Sequence, residues 1–564
     1  MNVNLPESVE DFFLQKKWKP SLFQKKAWSA YLKGYSGLIH APTGTGKTLA
    51  VSLGPFIESL NDCSLYKTGL IVLWITPMRA LARDTEKSLR EICEGIGLPW
   101  EIKRRTGDTT SADRQKIRKN PPQLLITTPE SFSLMLSYED FESRLKTVQC
   151  VIVDEWHELL GSKRGVQLEL CLSRIRGLNK GVRTWGLSAT IGNVKEASDV
   201  LLGIQQEKQK TIITCAKFKK IDIISLIPKK IERFPWAGHL GLRLLPDILS
   251  RLDSVKSTLI FTNTRSQAEL WFEALLKTQP SLIGRIALHH GSLDKKIRQR
   301  VEEGLKLGEF NCVVCTSSLD LGVDFSPVEQ VIQIGSPKGI ARLLQRAGRS
   351  GHRPGVTSKI ICAPTNALEL AEIAAARCAF DKKVIENRVP MRLCLDVLTQ
   401  HCVTLATGSG FEESQLFSEI KKTHAFAQLT KKQWSWVLNF ITNGGTALSN
   451  YPDFEKVYKK NNLYRIKNPK SARLHRMSIG TIVGDSLMVL KWVRGIKIGS
   501  IEESFISKLK KNDCFLFNGK YVQLVRVKEM TAYVKKAESK GRFVPRWLGG
   551  RAPLSTELSS FTQA

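Results

Sequence analysis

Residues 37–48 read GLIHAPTGTGKT, and this stretch decides the fold. An apolar run, Gly37 to His40, gives way to a glycine-bearing loop and then to a lysine and a threonine that open a helical pattern. Strand, loop and helix in that order aim backbone N–H groups at one point with a helix N-terminus behind them, the chemistry that holds phosphate oxygens. Thr43, Gly44, Thr45, Gly46, Lys47 and Thr48 are the candidate cradle. Lys47 is expected to reach the β- and γ-phosphates and Thr48 to hold Mg²⁺. Ala41 stands where the general pattern has glycine. Gln24, upstream in LFQKKAW, offers both a donor and an acceptor to an adenine edge, which points to ATP.

Around this stretch, the apolar runs LIHA, IVLWITP, QLLITTP, CVIVDE and TWGLSAT alternate with helical stretches over residues 20–200. Continuous apolar runs of this length suit parallel strands buried on both faces. A second set, TLIFTNT, RIALHHG, CVVCTSS and VIQIGSP, begins near residue 257. Two such sets predict an α/β fold of two tandem doubly wound domains, over residues 1–205 and 206–370. Beyond them, three short helices and the basic, aromatic stretch FEKVYKKNNLYRIK predict a winged-helix domain over 371–475. Short strands around Asn518-Gly519, a hairpin signal, predict a small β-rich module over 476–564, open to truncation at its C-terminus.

Asp154 and Glu155 follow the apolar strand CVIV about a hundred residues after the cradle. Two adjacent carboxylates at a strand end repel unless a cation joins them. Asp154 is expected to hold Mg²⁺ and Glu155 to activate the attacking water. In QRAGRSGHR, Arg349, with Arg346 close by, is the candidate arginine finger reaching the γ-phosphate from the second domain. Ser188 and Thr190 of LSAT are expected to link the nucleotide to a bound strand, with His157 as their partner.

The net charge of +32, from 85 Lys and Arg against 53 Asp and Glu, is spread along the chain and calls for a polyanionic partner. Twelve scattered cysteines form no disulfide framework and fit a reducing compartment. Cys312 and Cys315 sit in FNCVVCTS, which reads as a buried strand rather than a metal site. The N-terminal residues lack a signal-peptide core, and no run of about 18 apolar residues predicts a membrane span. A cytoplasmic protein with no membrane partner is expected; the oligomeric state is not legible.

The ordered set Gln24, APTGTGKT, TPMRALARD, TGD, TTPES, DEWH, LSAT, TNTRS, HHGSL, SSLDLGVDF and QRAGRSGH resembles a complete superfamily 2 helicase series. DEWHELLGSKRGVQLEL and the tail HRMSIGTI, GSIEESF and VPRWLGGRAPLS are similar to the Lhr (large helicase-related) proteins, most of all to the bacterial ligase-associated DEXH-box helicases. The resemblance covers essentially the whole chain. It implies that the two doubly wound domains are RecA-like motor domains followed by a winged helix and a β-module, in a nucleic-acid-dependent ATPase that uses ATP and Mg²⁺ and translocates 3′ to 5′ on single-stranded DNA. It also implies unwinding of DNA or RNA–DNA duplexes, a role in DNA repair in the bacterial cytoplasm or nucleoid, and a DNA ligase or nuclease partner. It adds Gly322 and Asp324 to the nucleotide site. His352 stands where many relatives have arginine, and relatives continue beyond residue 564.

The motifs not needed for the nucleotide are expected to face the strand. They are Pro77, Arg79 and Ala80; Thr106, Gly107 and Asp108; and Thr128, Pro129 and Glu130 in the first domain. Thr264, Arg265, His290, Gly291, Ser292 and Thr316 take the matching places in the second. Gly and Thr suit sequence-independent contacts to phosphate, and Arg supplies charge. Trp547, between Pro545 and a glycine pair with Arg546 and Arg551 nearby, is expected to stack on a base of the tracking strand. An RNA helicase, a double-strand translocase that does not separate strands, and a binding protein with a decayed motor are the competing readings.

Overall fold

Strand β1 (Ser36–His40) lies inside a parallel sheet with β2 (Val72–Ile75), β3 (Ile102–Arg105), β4 (Leu124–Thr127), β5 (Cys150–Val153), β6 (Arg183–Ser188) and β7 (Lys210–Thr214), ordered β3-β4-β2-β5-β6-β1-β7. β2, β4 and β5 are buried at every position, as apolar strands covered on both faces must be. A second parallel sheet has β8 (Ile221–Ser225), β9 (Thr258–Phe261), β10 (Ile286–His289), β11 (Cys312–Cys315), β12 (Gln330–Ile334) and β13 (Ser358–Ala363), ordered β10-β11-β9-β12-β13-β8. Cys312 and Cys315 are buried in β11, as their context predicts. This computed structural model describes residues 4–42, 44–62, 69–204, 209–215, 220–227, 241–252, 255, 257–320, 328–351, 357–444, 456–479, 487–506, 509–528, 531–537 and 554–563. No helix among them is long and apolar enough to cross a membrane.

The chain divides into two compact units, residues 1–217 with 387–482, and 218–386 with 483–564. In the first unit the winged helix combines helices Leu395–Thr407, Glu413–Lys421 and Lys431–Asn443 with β14 (Phe411–Glu412), β15 (Val457–Lys460) and β16 (Leu463–Ile466). The wing turns at Asn461 and Asn462, both at positive φ, a conformation asparagine tolerates. Leu398, Cys402 and Phe411 share one hydrophobic core with Leu168 and Leu172 of the first motor domain. Arg174 donates to the Glu419 carboxylate at 3.0 Å within that seam.

In the second unit the β-module has β17 (Leu487–Trp492), β18 (Lys497–Glu502), β19 (Cys514–Phe517), β20 (Lys520–Lys528) and β21 (Thr531–Lys536), ordered β18-β17-β21-β20-β19. β19 and β20 are joined by Asn518 and Gly519, both at positive φ, the tight hairpin that the Asn-Gly pair predicts. Leu490, Phe515 and Phe517 share a core with Trp271 and Leu288 of the second motor domain. Each appended domain is thus built onto one motor domain rather than strung after it.

Candidate functional site

Strand order sorts the motifs. In the first sheet, the C-terminal ends of the adjacent strands β5, β6 and β1 carry Asp154-Glu155, Ser188–Thr190 and the cradle. The neighbouring trio β3-β4-β2 ends in Thr106–Asp108, Thr128–Glu130 and Pro77–Arg79. Ligands of open α/β sheets bind outside the carboxyl ends of the strands, so one edge holds two adjacent candidate sites.

At the nucleotide end, Gly46 precedes helix Lys47–Asn61, and Gly44 and Gly46 both adopt positive φ. Gln24 accepts from the Ser21 amide and donates to the Gly46 carbonyl at 3.2 Å. A Cβ on Gly46 would stand 2.7 Å from the Gln24 amide nitrogen. Gln24, read as an adenine contact, therefore also braces the loop. Thr45 donates to the Pro42 carbonyl, and Thr48 is half-buried in the first helical turn. Thr43 lies outside the described residues.

Lys47 is buried, and its ammonium has no hydrogen-bond partner among the described residues; Glu155 Oε2 is 3.9 Å away. Burial, then the neighbouring Glu155 charge, raises the Asp154 carboxyl to about 7 against the pull of Lys47. A buried ammonium with a carboxylate nearby but no hydrogen bond among the described residues, beside two crowded carboxylates, fits a phosphate and a divalent cation. Mg²⁺ held by Asp154 and Thr48 would neutralise that crowding and polarise phosphate oxygens. Glu155 takes φ 44°, a left-handed conformation that costs about 1–3 kcal/mol in a non-glycine residue and clusters at functional sites.

His157 is fully buried, and burial holds its pKa below the usual imidazole value. The Ala189 amide donates to Nδ1 at 3.5 Å, which leaves the proton on Nε2, 3.4 Å from Glu158. On the other side of the same segment, the Ala41 amide donates to the Ser188 carbonyl at 3.0 Å. The SAT stretch therefore joins Ala41, two residues before the cradle, to His157. Ser188 is fully buried and Thr190 nearly so.

At the other end of the sheet, Arg79, Gly107 and Asp108 are exposed, whereas Pro77, Thr106, Thr128 and Pro129 are buried. Arg79 pairs with Asp108 at 2.9 Å. Arg164, which the sequence reading missed, ties this end together. Its Nη2 donates to the Pro77 carbonyl at 2.7 Å and its Nε to the Glu130 carboxylate. The Glu130 carboxyl, which burial pushes up, is held below its usual range by the Arg164 guanidinium. Arg164 stands in the first turn of helix Lys163–Leu178, seven residues beyond His157, so it ties the ends of β2 and β4 to the segment that follows the acidic pair.

The second sheet repeats the sorting. Its trio β10-β11-β9 ends in His290–Ser292, Thr316 and Thr264-Arg265. Thr264 and Gly291 are exposed, Arg265 is half-buried and Thr316 is buried. His290 requires a correction: its side chain is fully buried and bonded to Glu269 at 3.1 Å, so it is committed inside the domain rather than turned to a strand. Arg346 is a second correction. Its guanidinium is buried, pairs with Asp320 at 2.8 Å, bonds Gln333 and lies over the Phe261 ring. It therefore supports the end of helix Ile340–Ala347 instead of reaching outward. Arg349 follows that helix and is also buried, but its Nη2 donates to a backbone group, the Asp320 carbonyl at 2.9 Å, whereas Arg346 pairs with the Asp320 carboxylate. Gly322, Asp324, His352 and Trp547 lie outside the described residues.

Two RecA-like domains with a cradle, an acidic strand end and a matching pair of strand-end trios define the class: a superfamily 2 motor fold. Comparison with known proteins narrows it. The DEAD/DEAH box helicase domain matches residues 21–197, the helicase conserved C-terminal domain residues 241–354, and the winged-helix domain of large helicase-related protein residues 378–544. The ATP-dependent helicase Lhr-Core of Methanocaldococcus jannaschii is 33% identical over 98% of this chain and 66% of its own length. The Lhr helicase/uracil glycosylase of Escherichia coli is 28% identical, over 96% of this chain and 39% of its own. The Mycobacterium smegmatis helicase Lhr, solved bound to ssDNA and AMP-PNP, superposes with a TM-score of 0.75 at 30% identity, covering 85% of this chain and 63% of that one. The DUF1998 helicase MrfA shares the fold, with a TM-score of 0.74 at 20% identity. The chain belongs to the Lhr family of helicases. It spans 66% and 63% of the length of the two archaeal Lhr-Core relatives from Methanocaldococcus jannaschii and Methanothermobacter thermautotrophicus.

Proposed function

We propose that this chain is an ATP-driven helicase motor that moves 3′ to 5′ along single-stranded DNA and separates DNA or RNA–DNA duplexes in DNA repair. The observation that carries this reading is the sorting of the sheet ends: β5, β6 and β1 bear groups suited to a nucleotide, and β3, β4 and β2 bear groups suited to a phosphate backbone. Lys47 binds the β- and γ-phosphates, Asp154 and Thr48 hold Mg²⁺, and Glu155 orients and deprotonates water. Arg349 stabilises charge on the transferred phosphoryl group. Ser188, Thr190 and His157 transmit the nucleotide state. The ssDNA and nucleotide analogue bound to the mycobacterial relative support the same assignment, as does the +32 charge. Trp547 would stack on a base between steps. A DNA ligase or nuclease would be the partner.

Unwinding of 3′- and 5′-tailed duplexes, made as DNA–DNA, RNA–DNA and RNA–RNA, tests the proposal. ATP-dependent opening of the 3′-tailed DNA–DNA or RNA–DNA substrate is expected. Opening confined to RNA–RNA would replace it with an RNA helicase. Strand-stimulated hydrolysis without opening would leave a translocase.

A further inference from the structure

Glu269 lies on helix Arg265–Thr278, and its side chain is wholly buried. Oε1 accepts from His290 Nε2 at 3.1 Å and from the Asn518 amide at 2.6 Å; Oε2 accepts from the Gly519 amide at 2.7 Å. The Ser292 amide donates to His290 Nδ1 at 3.3 Å, which puts the ring proton on Nε2, facing the carboxylate. One hydrogen-bonded relay thus runs from the expected strand-facing loop, through His290 and Glu269, to the β19–β20 turn. Both residues of that turn adopt positive φ, which presents their two amides to a single carboxylate. A Cβ on Gly519 would stand 2.3 Å from the Phe272 ring.

The same loop is held from its other side. The Ser500 amide donates to the Ser292 carbonyl at 2.9 Å, and the Asp294 amide to the Ile498 carbonyl at 3.2 Å. Leu293 bridges Gly499 in antiparallel fashion, and a Cβ on Gly499 would stand 2.3 Å from the Ser292 oxygen. Arg265 Nη1 donates to Ser292 Oγ at 2.8 Å. Residues 290–294 are therefore held between β18 and the β19–β20 turn.

We propose that Glu269 is a positioning residue that locks the β-module to the strand-facing loop of the second motor domain, so that loop and module move as one body. A wholly buried carboxylate is tolerated only while charge-assisted donors surround it. Rotating the module away would strip the carboxylate of both backbone donors, leaving it His290 alone, and would take the acceptor from two amides, a disfavoured state. A strand gripped at the exposed Gly291 then loads the module directly, and displacement of this domain carries the module as a lever. The inference rests on the helicase reading above.

The test uses the full chain with a 3′-tailed DNA duplex and a single-stranded DNA oligonucleotide, comparing wild type, Glu269→Gln and Glu269→Asp. Strand-free hydrolysis should stay at the wild-type rate. Unwinding should fall by about tenfold or more, and the strand KM for stimulated hydrolysis should rise by a similar factor while kcat at saturating strand is retained, the scale of one charge-assisted hydrogen bond. Amide exchange at residues 498–500 and 518–519 should quicken in the variants. In the wild type those amides should exchange as slowly as β10 and β12, a result that decides the docking even if the variants fail to fold. Normal unwinding and strand KM in folded variants, or fast wild-type exchange at 518–519, would overturn the proposal. Absence of strand-stimulated hydrolysis and unwinding in the wild type would instead sink the helicase reading.

Discussion

The two motor domains present equivalent trios of strand ends, β3-β4-β2 and β10-β11-β9, yet they brace loops of these trios with residues of opposite charge. In the first, the cation Arg164 joins Pro77 and Glu130 to a helix that begins just after the acidic motif. In the second, the anion Glu269 joins His290 to the β-module. The first domain thus ties its strand loops toward the nucleotide end, and the second ties its loop to an appended domain. Under the proposed helicase function, this difference would divide the labour: one domain would report nucleotide chemistry to the strand, and the other would convert strand grip into work on a duplex.

The largest expected effect is on chemistry. Arg349→Ala should slow ATP turnover by roughly 10³–10⁵ with nucleotide and strand affinity little changed, measured by phosphate release and equilibrium binding. An unchanged rate would place the finger elsewhere, with His352 the next suspect.

Next comes the seam of the first unit. Arg174→Ala leaves the buried Glu419 carboxylate without its guanidinium and should cost about 3–5 kcal/mol, read by chemical or thermal unfolding. A loss below about 1 kcal/mol, the scale of an exposed pair, would mean that the winged helix is held by its apolar core alone.

Arg164→Gln sharpens the comparison itself. It should reduce strand stimulation of hydrolysis by about tenfold, the scale of one hydrogen bond to a charged group, and leave strand-free hydrolysis intact. Equal loss of both rates would make Arg164 a fold residue rather than a link.

The smallest effect concerns Arg79, which is exposed at the end of the first trio. Arg79→Ala should make the log–log dependence of single-strand affinity on salt shallower by about 0.7, one phosphate's worth. An unchanged slope would take Arg79 off the backbone track.

Most of the frame was legible because buried parallel strands are apolar throughout: β2, β5, β9 and β11 each stand out as a run. β3 was not, since Ile102–Arg105 is three-quarters basic, and neither were the edge strands β7 and β8, which are only partly buried. The nucleotide residues were readable because a cradle is local in sequence. Arg164 and Glu269 were not, because their partners lie 34 and 87, and 21 and 249–250, residues away, and each looks locally like an ordinary charged helix residue. His290 and Arg346 were misassigned for the same reason: motif position gives a neighbourhood, while burial decides which way a side chain is committed.

ATP hydrolysis by wild type and Glu155→Gln, each with and without single-stranded DNA and with nucleotide affinity measured in parallel, tests the central claim most directly. The account predicts a wild-type rate that rises with strand, and a variant that binds ATP normally but hydrolyses it roughly 10²–10⁴-fold more slowly under both conditions. Hydrolysis near the wild-type rate in Glu155→Gln, or a wild-type rate indifferent to the strand, would contradict it.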